Sequence, residues 1–145
     1  MDVAARQSTV GWEAASAAVS AAVAHAASVG ACVNAAVVDR AGQLVSFLRM
    51  PGAPLHSVDI AIDKAYTAAS FGLPTGDWAA ALSSHSDAVR QGLPLRPRMV
   101  MFGGGLPLVV AGERIGGIGI SGGSEAQDED CARAALAALD LTPAR

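Results

Sequence analysis

Apolar positions along this chain follow two rhythms, every second residue or every third to fourth, and the switches between them divide it into elements. The strand rhythm is clearest late in the chain. Leu106 to Ala111 is an apolar run, Gly112-Glu113-Arg114 is turn chemistry, and Ile115 to Ser121 alternates glycine with isoleucine, which predicts a hairpin. Its second strand carries Ile118 and Ile120 on one face but Gly117 and Gly119 on the other. A strand so bare on one side lets a helix, another backbone or a ligand come close. Ser124 to Gln127 then fits a capping box, which predicts a helix running to Leu139.

The same rules divide the rest. Trp12, Ala15, Val19, Ala22, Val23, Ala26 and Val29 keep helical spacing, with Ser8 or Thr9 as caps and Gly30 as the stop. Cys32 to Asp39 and Leu44 to Met50 flank the turn Arg40-Ala41-Gly42-Gln43, a second hairpin. Val58 to Phe71 is a helix that Ser57 is placed to cap, and Asp77 to Leu82 is a short helical piece. Ser83 to Arg98 is polar and then proline-rich and is given no regular structure; Met99 to Phe102 reads as a short strand. The expectation is a single domain, residues 1–145, of the α/β (α+β) class: five strands in an antiparallel sheet with flanking helices.

Composition narrows the partners. The chain is 52% hydrophobic with a net charge of -3 and no basic stripe, so a small molecule or a protein is expected as partner, with no nucleic acid and no membrane. The first residues lack the apolar core of a signal peptide, which predicts a cytoplasmic protein. Cys32 and Cys131 show no metal-binding spacing and are expected as free thiols; three scattered histidines predict no metal site.

Chemistry concentrates in three places. On the second helix Ile60, Lys64, Thr67 and Phe71 share a line, so Lys64 either snorkels to water or sits desolvated as an anion anchor, base or amine nucleophile. On the last helix the run Glu125, Asp128, Glu129, Asp130 suits a solvated first turn, but Asp128 lies in line with Ala132, Ala135 and Leu139, and an inward carboxylate needs a partner. Gly103-Gly104-Gly105 precedes a strand and lacks a phosphate-loop motif, so its amides would hold a carboxylate or form a bulge.

Three blocks, AAVVDRAGQLVSFLRM, KAYTAASFGLPT and GGGLPLVVAGERIGGIGISGGSEAQDEDCA, resemble the signatures of the GlcG/HbpS-like haem-binding family, which includes the C-terminal domain of PduO-type cobalamin adenosyltransferases. The resemblance implies a profilin- or PAS-like sandwich that assembles into dimers, tetramers or octamers. Its matching positions are Asp39, Arg49, Lys64, Thr67, Thr75, Gly104, Gly105 and Asp128. It implies first a module for haem or a related tetrapyrrole, with His56 or His85 on the iron, Arg49 and Lys64 on the propionates, Thr75, Gly104 and Gly105 in the binding site, and the bare strand face under the ring. The alternative is a cofactor-free hydrolase, deaminase or isomerase of an unsaturated small carboxylic acid, with Lys64, Asp128, Arg49 and Thr67 as catalytic residues and Arg49 as the carboxylate clamp. A scaffold with a vestigial pocket is the third reading.

Overall fold

The computed structural model describes residues 1–143. Its elements, in chain order, are α1 (Trp12–Ser28), β1 (Asn34–Asp39), β2 (Leu44–Arg49), α2 (Ser57–Phe71), α3 (Trp78–Leu82), α4 (Asp87–Gly92), β3 (Gly105–Val110), β4 (Glu113–Ser121) and α5 (Glu125–Ala138). Short 3-10 turns precede α3 and follow α4. The strands make one open antiparallel sheet in the order β2-β1-β4-β3.

Each face of the sheet has its own cover. Ala35, Val37, Leu106, Leu108, Ile118 and Ile120 point into the main core, closed by α1 and α5 through small residues such as Ala15, Ala22, Ala132 and Ala135. On the other face α2 lies directly on the backbone of β4. A Cβ at Gly119 would collide with the Ala61 carbonyl, and one at Gly117 with that of Ala65. The bare strand face expected to admit a helix, a backbone or a ligand is therefore filled by α2, and no ring can lie there.

The sheet has four strands, not the expected five. Met99 to Phe102 forms no strand because a side chain takes up its backbone bonds: Val100 N donates to Thr67 Oγ1 at 3.1 Å, and that hydroxyl donates to Arg98 O at 2.9 Å. Helix α1 starts from Gly11 without a side-chain cap. Ser8 instead donates from its hydroxyl to Glu113 at 2.7 Å, and Thr9 Oγ1 accepts from Arg40 N. Trp12, placed on the apolar stripe by its spacing, is 70% exposed, since the stripe meets the core only from Ala15 onward. Ser83 to Arg98 contains α4, capped by Ser86 Oγ, which accepts from Val89 N. None of the residues of α4 or of the following Leu93–Leu95 turn is buried. Cys32 and Cys131 are free; burial pushes the Cys131 thiol up to about 11.

No helix among the described residues is long and apolar enough to cross a membrane. Nor do the described residues include a group of three or more His, Cys, Asp or Glu side chains that could hold a metal ion.

Candidate functional site

The site forms at the end of β4, where the strand passes between the helices on its two faces. From α2 comes Lys64, carried inward because its helix line is half apolar and lies on glycine. From α5 comes Asp128. The capping box is in place, with Gln127 N donating to Ser124 Oγ and Ser124 N to Gln127 Oε1, and it starts the helix so that Asp128 faces back toward the sheet. Lys64 Nζ donates to Asp128 Oδ2 at 3.0 Å and to the Ile120 carbonyl at 2.7 Å. Gly123 N donates to Asp128 Oδ1 at 2.9 Å. The third direction of the ammonium faces the Phe102 ring, 5.1 Å from its centroid, at cation–π distance.

Lys64 is 1% exposed and Asp128 3%. Burial outweighs pairing for both: it holds the lysine below its usual 10.5 and the carboxyl above its usual 3.8. Glu125 and Glu129 add negative charge near the lysine. Glu125 Oε1 also accepts from Gly103 N at 2.8 Å.

The glycine triplet closes over this pair. Gly104 has φ +122, and a Cβ there would sit 2.6 Å from Ile120 O and 2.7 Å from Lys64 Nζ, so only glycine fits. Gly105 N donates to the buried Thr75 Oγ1 at 2.8 Å, which commits that amide to the protein. Outside the loop lies a cleft of about 200 Å³ lined by Pro74, Gly76, Gly104, Gly105, Glu129 and Arg133, among others.

A family model described as "Haem degrading protein HbpS-like" matches residues 10–137. The chain belongs to the HbpS-like family. An HbpS double mutant of Streptomyces reticuli is 37% identical, covers 96% of this chain and 97% of its own, and superposes with a TM-score of 0.83. The crystal structure of a PduOC–haem complex is 32% identical over 94% of this chain and 99% of that one, with a TM-score of 0.84. The corrinoid adenosyltransferase PduO of Citrobacter freundii is 36% identical over 121 residues, which are 83% of this chain but only 36% of the enzyme.

In this HbpS-like chain the structure brings Lys64, Asp128, Thr75, Gly104 and Gly105 together. Thr67 stands one turn further along α2, bound to Arg98 and Val100. Arg49 stands apart on edge strand β2, opposite Asn34, and Nη1 donates to Ala53 O at 2.7 Å. His56 and His85 are exposed, one leading into α2 and one leading into α4, and Asp39 binds its own turn through Ala41 N and Gln43 N. Phe102, Glu129 and Arg133 also stand at the site, and the sequence pattern marks none of them. The acidic run containing Glu129 reads as a helix start, and nothing in the spacing shows that Phe102 folds back over Lys64.

Proposed function

We propose that this HbpS-like chain binds haem or a related tetrapyrrole on its open α4 face. The observation that carries this reading is an apolar groove of about 470 Å³ lined by Ala88, Val89, Gly92, Leu93 and Arg96, which begins three residues after His85. Haem asks for an apolar slot, an axial ligand and cationic groups for its propionates. On this reading the groove would take the ring, Arg96 on its lining the propionates, and His85, three residues before Ala88 in the sequence, the iron. The cleft beside Gly104 is too small: sites that enclose drug-sized ligands run to about 300–1,000 Å³, against about 200 Å³ here. Lys64 is buried and paired, so in this conformation Arg96 replaces it as the propionate cation. The similarity to a haem-bound PduOC domain along nearly the whole chain supports the same reading.

A haemin titration followed at the Soret band tests it. The expected result is a saturable band, weakened in His85→Ala and retained in His56→Ala. A response that never saturates would end the haem reading.

One observation favours a second reading, a cofactor-free enzyme acting on a small unsaturated carboxylic acid. The acid and base of the Lys64–Asp128 pair are both pushed by burial toward their neutral forms, which suits proton exchange beside a cleft. In that case Arg133, which lines the cleft, takes the clamping role assigned from sequence to Arg49. Under either reading, a homo-oligomer would give cover to Leu95, which is 83% exposed.

A further inference from the structure

Between Arg98 and Gly103 the chain crosses the front of Lys64, and the fastenings at its two ends differ. At the glycine end the bonds are backbone and carboxylate: Gly103 N donates to Glu125 Oε1, and Ile120 N donates to Gly104 O at 2.8 Å. The other end hangs on Arg98. Its backbone is left-handed, φ +64, a conformation that costs a side-chain-bearing residue energy and must be held from outside. Three contacts with α2 hold it. The guanidinium stacks 3.6 Å from the centroid of the Tyr66 ring, Nε donates to Asp63 Oδ1 at 2.9 Å, and the Arg98 carbonyl accepts from Thr67 Oγ1. Beyond Arg98 toward the N-terminus lie α4 and its following turn, with no buried residue to anchor them.

Phe102 is the part of this crossing that covers the lysine. Phe102 is 48% exposed, so its outer side is already in water. The ammonium behind it has two strong acceptors, Ile120 O and Asp128 Oδ2, and only a π face in the third direction. An aromatic face is a weaker partner than an oxygen anion for a desolvated ammonium.

We propose that residues 98–103 form a strap latched to α2 through Arg98, and that when it lifts a ligand carboxylate replaces the Phe102 ring on Lys64. The strap is argued from its contacts; the carboxylate rests on the small-acid reading above and deepens it, placing the ligand carboxylate on Lys64 in place of Arg133. Thr67 is then a positioning residue that holds the strap in register and takes no part in proton transfer. Val100, 8% exposed and bonded through its N–H to Thr67 Oγ1, must also come away, so the Arg98 latch and this bond together set how often the site opens.

The test uses hydrogen exchange and lysine labelling, neither of which needs turnover or haem. In Arg98→Ala the stack and ion pair are lost while the backbone strain stays, so amide exchange at residues 99–103 should rise about tenfold. Arg98→Gly should rise less, since glycine adopts that φ freely. Phe102→Ala should raise the rate of reductive methylation of Lys64, read by peptide mass spectrometry, with the urea midpoint nearly unchanged. Unaltered exchange in Arg98→Ala together with unaltered labelling in Phe102→Ala would overturn the strap. Succinate should slow the labelling of Lys64 in Phe102→Ala; if the strap opens and succinate gives no protection, the carboxylate half is wrong while the strap stands. Failure of haemin to bind would bear on neither.

Discussion

Lys64 and Asp128 belong together because neither is tolerable alone. A buried charge stripped of its partner is far more costly than the pair, and removing one member of such a pair typically costs about 3–5 kcal/mol. Lys64→Met should therefore lower stability by about that much in urea denaturation. The double variant Lys64→Met/Asp128→Leu should recover most of the loss or exceed wild type, because burial already opposes ionisation of both groups. A double variant as unstable as the single one would mean that the bonds to Ile120 O and Gly123 N carry the stabilisation. At this scale the sequence was informative where helical spacing turned a charge inward, as it did for Asp128; for Lys64, on a half-apolar line, spacing left open whether the ammonium reached water or stayed buried. It was silent where contact depended on loop conformation. Phe102 and Arg133 reach the site through a glycine bend and a cleft that periodicity does not encode. Arg49 has the right chemistry for a clamp, yet strand register sets it at the far edge of the sheet, across β1 from β4.

Elements were legible wherever side-chain period and backbone bonding agreed. Both hairpins, α2 and the capped α5 fall where alternation, helical spacing and the capping box place them. Met99 to Phe102 has strand-like residues but no strand neighbour, since Thr67 satisfies its backbone from the side. Helix α4 was hidden for the opposite reason: it is short and unburied, so its few apolar residues make no stripe long enough to announce it. The glycine face of β4 shows how far pattern reasoning reaches. Bareness predicted a close neighbour, and the neighbour is α2, near enough that Gly119→Ala should cost about 1–3 kcal/mol from overpacking. Gly92→Ala is the control, since nothing lies within 4 Å of its added methyl and its φ is ordinary. In thermal melts of both variants, Gly92→Ala should be neutral or slightly stabilising while Gly119→Ala melts lower.

The molecule as a whole is two helical layers joined through one sheet, and the Lys64–Asp128 bond is where the layers meet directly. Separate melting of α2 would expose glycine backbone and strand a buried carboxylate, so we expect one cooperative unit, as the single-domain reading requires. Tryptophan fluorescence, reporting mainly from buried Trp78, and far-ultraviolet circular dichroism should give coincident unfolding curves. Two separated transitions would mean that the layers fold independently. The bond also spans 64 positions of sequence, and its companion to Ile120 spans 56. On the ribosome, then, α2 is made long before anything that can receive its lysine. Until β4 and α5 emerge, that helix carries an apolar face, an unmatched charge and no glycine track to lie on. From the end of α2 at Phe71 another 57 residues must be added before Asp128 is in place, and a chaperone that engages this helix would do so in that interval.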